Sequence, residues 1–175
     1  MSLNQPPAFA STPPDLADMA PLASTGQRFA ARLLDSLVLG VLWFLALTVT
    51  GVMGTALENA EEGNPYSDIP VGPTLLALVL TFVAYFLYEG FMLSRSGQTL
   101  GKKAVGIRVA VLANGNIPSR EGWIRAAVYA LPGVAQMLLN IGTIFWLLNS
   151  LWFLWDKPYR QCLHDKAAKT VVVRA

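Results

Sequence analysis

The chain has 175 residues, of which 54% are hydrophobic and only 14% are charged, and its mean hydropathy is +0.45. Soluble domains carry about a quarter charged residues, so this composition indicates a membrane protein. A net charge of +2 gives no indication of nucleic-acid binding. One cysteine excludes an internal disulfide, and one cysteine with one histidine argue against a structural zinc site, so we expect neither metal nor cofactor.

Residues 1–24 are rich in Pro, Ala and Ser and contain no basic residue. A secretory signal needs a positive start followed by an apolar core, and this segment has neither. The segment is therefore predicted to be a disordered tail. A single membrane domain is expected over residues 25–175.

The first predicted helix covers residues 26–57 and carries no charge from Ser36 to Leu57. That run rises about 33 Å as a helix, which crosses an apolar bilayer core of about 30 Å. Arg28, Arg32 and Asp35 stand at its head, on one broad helix face. An unpaired carboxylate at membrane depth costs a few kcal/mol, so we predict a partnered polar cluster in which Arg28 neutralises Asp35. In the alternative, the arginines only anchor the topology and Asp35 is an interfacial or capping acid.

An acidic loop without Lys or Arg leads into a second predicted helix over residues 69–89. Prolines are tolerated in its opening turn, because the first helical amides have no intrahelical partner. Glu89 closes this segment. We favour an ordinary acid at the helix end, and membership of the charged cluster is the alternative.

Residues 90–118 form a predicted cytoplasmic loop rich in basic residues, with a strand over residues 105–112 and a tight turn at Asn114-Gly115. Gly97 to Lys103 lacks the spacing and the hydroxyl of a nucleotide-binding loop. Lys102 and Lys103 are instead predicted to contact anionic lipid headgroups, where each contributes on the order of 1 kcal/mol. Ser119 is a candidate helix cap.

The hydrophobic segment 119–155 is interrupted at Pro132-Gly133 and near Asn140–Gly142, and a basic tail covers residues 156–175. We favour a pair of short helices that bends near Asn140–Gly142 and returns to the cytoplasmic side. The alternative is an interfacial helix followed by one full span. The positive-inside rule supports the first version, because it keeps the N-terminus, the basic loop and the C-terminus in the cytoplasm.

Residues 98–109 resemble residues 161–172, with Gln, Leu and Lys in register before a β-branched run. A true repeat would place both strands on one side of the membrane, where they could pair into a small sheet. His164 and Asp165 lie in the second copy. They either handle a proton, with the acid raising the histidine pKa, or dock the C-terminal strand as a helix cap, which we favour. No third group is identified to orient Cys162 as a nucleophile, so we expect no enzyme.

Three segments, Arg28–Asp35, Gly97–Lys102 and Leu163–Val172, resemble the signatures of the RDD family of small bacterial membrane proteins. The resemblance covers about residues 24–175. It implies an inner-membrane location, and transport of a ligand, or ion or proton exchange, has been suggested for members. The arginine and two aspartates that name the family match Arg28, Asp35 and Asp165. Lys169 stands where the family often has glycine, so the tail strand is expected to start differently.

The predicted fold is an all-α membrane protein with two long transmembrane helices, a broken third hydrophobic segment and a small cytoplasmic β element. The predicted activity is transport or exchange of a small ligand, proton or cation. A homo-oligomer would complete the pore, because one copy has few spans. The alternative is a non-transporting adaptor or assembly partner of another membrane protein. The residues expected to form the functional charged cluster are Arg28, Arg32, Asp35, Glu89, His164 and Asp165.

Overall fold

The structure, a computed structural model, describes residues 20–64, 67–134 and 141–175. Seven α-helices and two strands are described, and a 3₁₀ turn, Trp152–Leu154, follows α6. The elements in chain order are α1 (Thr25–Val49), α2 (Val52–Glu61), α3 (Val71–Ser96), α4 (Leu100–Ala104), β1 (Ile107–Val111), α5 (Arg120–Val134), α6 (Ile141–Leu151), α7 (Leu163–Ala167) and β2 (Thr170–Arg174).

Helices α1 and α3 are the two described helices that are long and apolar enough to cross a membrane, with 25 and 26 residues. They pack against each other, while α4 packs on α1 and α5 packs on α3. Large apolar side chains along both helices, such as Leu37, Phe44 and Leu80, remain exposed. In a bilayer these exposed faces would contact lipid, and the prediction of two long apolar helices is confirmed.

The bounds of both long helices differ from the prediction. Helix α1 ends at Val49 rather than at residue 57, because Gly51 adopts a left-handed φ of 80° and a separate helix begins at Val52. Helix α3 continues past Glu89 to Ser96. Glu89 does not end the helix, because its carboxylate is fully buried and paired with cations.

The sequence repeat corresponds to a structural repeat. Each copy consists of a short helix of five residues followed by a strand of five residues, α4–β1 and α7–β2. Equivalent glutamine side chains make equivalent hydrogen bonds: Gln98 Nε2 donates to the Ile107 carbonyl at 2.9 Å, and Gln161 Nε2 donates to the Thr170 carbonyl at 2.7 Å. The two segments therefore fold alike.

The two repeat strands pair with each other. β1 and β2 form an antiparallel sheet in which Val109 faces Val172 at the centre, so the predicted small sheet is confirmed. Leu22 also bridges to Val173, and the Ala23 amide donates to the Val172 carbonyl at 3.0 Å. The predicted disordered tail therefore extends too far, since residues 21–23 lie along β2, while residues 1–19 lie outside the described residues.

The described residues of the third hydrophobic segment include the helices α5 and α6. The Trp146 indole donates to the Tyr129 carbonyl at 2.8 Å, which joins the two helices. Helix α5 begins at Arg120, directly after the predicted cap Ser119. Asn140, in the predicted bend, lies outside the described residues, so the path of this segment relative to a membrane stays a prediction.

Candidate functional site

Charged side chains from five helices meet where the ends of α1 and α3 approach the sheet. The acids Asp35, Glu89 and Asp165 are all completely buried. Their buried partners come from α4 and α5, and His164 lies beside them. We call this group the charged cluster, and its members are Arg28, Arg32, Asp35, Glu89, Lys102, Arg125, His164 and Asp165.

Asp35 is held mainly by the segment that contains α4. Its Oδ2 accepts a hydrogen bond from the Thr99 hydroxyl at 2.6 Å and lies 3.5 Å from Lys102 Nζ. Its Oδ1 accepts from the Gly101 amide at 2.9 Å and from the Tyr88 hydroxyl at 3.1 Å. Four donors therefore surround this carboxylate, and three of them lie within Thr99–Lys102.

Gly101 makes the close approach of α4 to α1 possible. A Cβ at this position would lie 2.2 Å from the Ala31 carbonyl oxygen and 2.9 Å from Asp35 Oδ1. Real Cβ atoms do not reach such distances, and the backbone oxygen of a helix cannot move aside alone. Because residue 101 is a glycine, the α4 backbone can approach the Asp35 carboxylate closely enough to form a hydrogen bond.

The prediction that Arg28 neutralises Asp35 is wrong. Arg28 donates to three backbone carbonyls, those of Ala23 at 3.3 Å, Arg160 at 2.7 Å and Val172 at 3.0 Å. Within the described residues it makes no ion pair with Asp35. Arg28 lies two helical turns before Asp35, and its long side chain extends instead toward β2. It therefore ties the start of α1 to the C-terminal strand.

The predicted headgroup contact of Lys102 is also wrong, because its side chain points into the protein. Only 4% of Lys102 is exposed, and Nζ lies 3.5 Å from Asp35 and 4.0 Å from Glu89. Burial, together with the positive charges of Arg125 and Arg32, lowers the pKa of Lys102 to about 8. Lys103 is exposed, so its predicted contact with lipid headgroups stays open.

Arg125 links two buried acids that belong to different parts of the chain. Its Nη1 donates to Glu89 at 2.8 Å, and its Nε donates to Asp165 at 2.7 Å. The interpretation of Glu89 as an ordinary helix-end acid is therefore wrong. Glu89 Oε1 also lies 3.7 Å from Arg32 Nη1, while its buried Oε2 finds no hydrogen-bond partner within the described part of the chain.

Arg32 makes longer polar contacts than Arg125, the other arginine at the centre of the cluster. Its hydrogen bonds to the Tyr85 hydroxyl and to His164 Nε2 are both 3.4 Å long. Its guanidinium also lies over the Tyr129 ring, 3.9 Å from the ring centroid, which is a cation–π contact. All three contacts of Arg125, by comparison, are 2.7–2.8 Å long.

The hydrogen bonds of His164 define its tautomer. Arg125 Nη2 lies 2.8 Å from Nε2, and since a guanidinium can only donate, Nε2 must accept. The ring proton is then on Nδ1, which donates to Asn149 Oδ1 at 2.7 Å. Burial and the charge of Arg125 lower the pKa of His164 well below its ordinary value. Asp165 does act to raise this pKa, as expected, but burial and the charge of Arg125 outweigh it, so the expected net rise is wrong.

Asp165 joins the C-terminal repeat to the cluster. Its Oδ2 accepts from the Cys162 amide at 3.1 Å, across the first turn of α7, and its Oδ1 binds Arg125. Burial alone would raise the pKa of Asp165, but the charge of Arg125 holds it below its ordinary value. These contacts agree with the interpretation in which Asp165 caps a helix and docks the strand that follows.

Six members of the cluster line a partly open cavity of about 50 Å³, namely Arg28, Arg32, Lys102, Arg125, His164 and Asp165. Donor atoms of Cys162, His164 and Asp165 border it within 4.8 Å of one another, a spacing that a metal ion could bridge. This set does not fit a metal, because both ring nitrogens of His164 are committed and Arg125 occupies Asp165. Burial also raises the pKa of the Cys162 thiol to about 12, with Asp165 adding to the rise, so no thiolate forms near neutral pH.

Some members of the site were missed in the sequence. Arg125 is not among the predicted cluster residues, although it directly precedes a long uncharged run, as Asp35 does. Thr99 and Gly101 lie inside a recognised signature, but their role depends on contact with α1. Asn149 lies in a mostly apolar helix, where an asparagine next to Ser150 is the available signal.

Comparisons with known proteins agree with the three signatures. The profile of the RDD family matches residues 22–169, which covers most of the chain and contains every member of the charged cluster. No match was found among curated proteins or among solved structures. The match and the two long apolar helices together indicate a membrane protein. This chain belongs to the RDD family.

Proposed function

We propose that this protein moves a small ionic solute across the bacterial inner membrane, and that the charged cluster is where the solute binds. The observation that carries the proposal is a cavity lined by four basic side chains and Asp165, beside the ends of two apolar helices. Charged residues within membrane segments are costly, and their usual roles are in ion and substrate pathways. Stability alone does not require such a cluster, since well-packed apolar side chains often serve as well as buried ion pairs or better.

The basic residues and the sheet support one orientation. Residues 21–23, β1 and β2 hydrogen-bond to one another, so the segments before α1, after α3 and at the C-terminus lie together. Basic residues are concentrated at the start of α1, after α3 and in the C-terminal tail, while the loop from Glu58 to Asp68 has none. By the positive-inside rule, this distribution supports a cytoplasmic position for the sheet and the cluster.

The contacts of Asp35 suggest which part moves. Three of its four donors come from the short segment Thr99–Lys102, so displacement of α4 would release the carboxylate in one step. Glu89 and Asp165, by contrast, share Arg125 and would stay paired. In this proposal α4 opens toward the cytoplasm and admits the solute to the cavity. A second copy would line the rest of the path, because the described part of one copy has two long apolar helices.

The test is flux through liposomes that contain the purified protein. Separate preparations would enclose a pH-sensitive dye or a chloride-sensitive dye and receive gradients of sodium chloride, potassium chloride or sodium formate. Wild-type protein should carry at least one ion faster than empty liposomes. Asp35→Asn should abolish that flux, while Arg95→Gln, which removes an exposed charge from α3, should not change it. Absence of flux under every gradient would remove the proposal.

A second proposal is a non-enzymatic membrane adaptor or assembly partner, and the contacts of Arg28 favour it. Arg28 is buried, and all three of its hydrogen bonds within the described residues go to backbone carbonyls, which is a structural arrangement. In this version the cluster stabilises the packing, and exposed basic residues such as Lys103 contact headgroups or a partner. Asp35→Ala should then reduce the abundance of the protein and its recovery with a partner, without any ion flux in wild type. Unchanged abundance and recovery would remove this alternative.

A further inference from the structure

The cavity in the charged cluster has walls that favour negative charge. Four basic side chains face it against a single carboxylate, that of Asp165. Ser150 adds a hydroxyl, and Phe29, Phe153 and Val172 supply an apolar wall. A cation placed here would be repelled by most of its neighbours. The basic residues that line the cavity are Arg28, Arg32, Lys102 and Arg125.

The whole cluster also has a surplus of positive charge. Within the described residues, the four basic side chains stand against three acids, Asp35, Glu89 and Asp165, and His164 is neutral. One positive charge is therefore left without a carboxylate. A buried charge without a counter-charge is costly even when carbonyl dipoles solvate it. A monovalent anion in the cavity would balance the cluster.

Arg32 is the basic residue best placed to receive that anion. Its hydrogen bonds within the described residues are 3.4 Å long and its distance to Glu89 is 3.7 Å, so its donors are weakly engaged, although its guanidinium packs on the Tyr129 ring. Its side chain keeps 22% exposure, while that of Arg125 keeps 2%. Arg28, on the same cavity wall, uses three of its donors on carbonyls, and a guanidinium carries five.

The volume limits the size of the anion. A water molecule needs roughly 10–15 Å³ of such space, so a cavity of about 50 Å³ accommodates about three to five non-hydrogen atoms. Chloride, nitrate and formate meet that limit, whereas gluconate does not. We propose that this cavity is a binding site for a small monovalent anion, with Arg32 as a principal contact. The inference deepens the proposed function, because it names the solute class for the same site, and it replaces the cation that the sequence suggested.

The test is anion binding by the full-length protein in detergent. Sodium gluconate would be replaced stepwise by sodium chloride, nitrate or formate at constant ionic strength, while the melting temperature is recorded. A ligand that binds only the folded state raises this temperature in a saturable way. We expect saturable stabilisation by at least one of the three small anions. No difference between gluconate and any of them would overturn the proposal.

The variant Arg32→Gln should weaken that apparent affinity by about tenfold or more, which corresponds to about 1.4 kcal/mol. Arg95→Gln provides the matched control, since it removes an exposed arginine from the other long helix, and it should bind as wild type does. Equal affinity in Arg32→Gln and wild type would also contradict the site. If Arg32→Gln fails to fold, equilibrium dialysis of wild type with radioactive chloride, competed by nitrate and formate, decides the question. Absence of saturable, competed binding would overturn it.

Binding and transport are measured separately, so their failures can be told apart. Saturable anion binding without flux would keep the anion site and remove the transporter. Flux of sodium or protons that is unaffected by the choice of anion, without saturable anion binding, would keep transport and remove this inference.

Discussion

Lys102 and Asp165 occupy equivalent positions in the two structural repeats, and each makes a buried ion pair with an earlier helix. Lys102 Nζ lies 3.5 Å from Asp35 on α1, and Asp165 Oδ1 lies 2.7 Å from Arg125 on α5. The two repeats thus use the same local scaffold with opposite charges. Each short helix docks its own half of the chain onto the shared sheet, and the charged cluster forms between the two halves.

The close packing of α4 on α1 predicts a large effect of Gly101→Ala. The added methyl group would overlap the Ala31 carbonyl and Asp35, so we expect the free energy of unfolding to fall by about 1–3 kcal/mol. Denaturant unfolding in detergent would measure it. Gly40→Ala is the control, a helical glycine of α1 at which an added Cβ meets nothing within 4 Å. It should be neutral or stabilising by about 0.5–1 kcal/mol. Equal effects of the two substitutions would contradict the packing.

Because Arg125 pairs with both Glu89 and Asp165, Arg125→Gln should be among the most destabilising substitutions. It leaves Glu89 and Asp165 as buried acids without their main cation, which costs about 3–5 kcal/mol. Arg120→Gln, at an exposed position of the same helix, should change the stability by less than about 0.5 kcal/mol. The measurement is again the free energy of unfolding. A small effect at position 125 would show that the cluster is open to water.

The environment of His164 predicts that the stability of the folded protein depends on pH through this residue. The folded pKa lies well below the ordinary 6.5, so below pH 6.5 the unfolded chain binds a proton that the folded chain does not. Stability should therefore decline as the pH falls from 6.5 toward 5, with a slope that approaches about 1.4 kcal/mol per pH unit. His164 is the single histidine of the chain, so His164→Gln should flatten this window. An unchanged slope in that variant would assign the effect to other groups.

The backbone at Lys169 predicts a stabilising substitution. Lys169 has a φ of 51°, and the equivalent residue of the first repeat is Gly106, with a φ of 67°. A left-handed conformation costs a non-glycine residue roughly 1–2 kcal/mol, part of which the flexibility of an unfolded glycine offsets. Lys169→Gly should therefore raise the free energy of unfolding by up to about 1 kcal/mol. Gly106→Ala is the reciprocal change and should lower it. Both could be followed by denaturant unfolding, and a destabilising Lys169→Gly would contradict the proposed equivalence.

Elements with a local signal could be predicted from the sequence. The two apolar helices, the strand before Asn114-Gly115 and the start of α5 after Ser119 follow from hydrophobic runs, turn chemistry and capping. The sheet could be predicted from the repeat, because equivalent sequences fold alike. The tail strand begins at Thr170, directly after Lys169, although Lys169 stands where the family often has glycine. The strand forms there because Lys169 adopts the left-handed conformation that a glycine would have.

The partners inside the cluster could not be predicted in the same way. Arg28 is a neighbour of Asp35 along the helix, whereas the true cation, Lys102, lies 67 positions further along the chain. Proximity in sequence favours the wrong pair, because a long side chain at a helix start can extend away from its own helix. The burial of Lys102 and Glu89 likewise depends on α4 and α5 folding over them, which no local pattern reports.

The most direct test of the central claim compares Asp35→Asn, Lys102→Met and the double variant for both stability and ion flux in liposomes. Each single change leaves one buried group without its partner and should destabilise the protein. The double variant should recover most of the wild-type stability, because a buried ion pair contributes little net energy to folding. The account predicts that this stable double variant carries no ions. A double variant that folds and transports as wild type does would contradict it, because the ion pair would then serve packing alone.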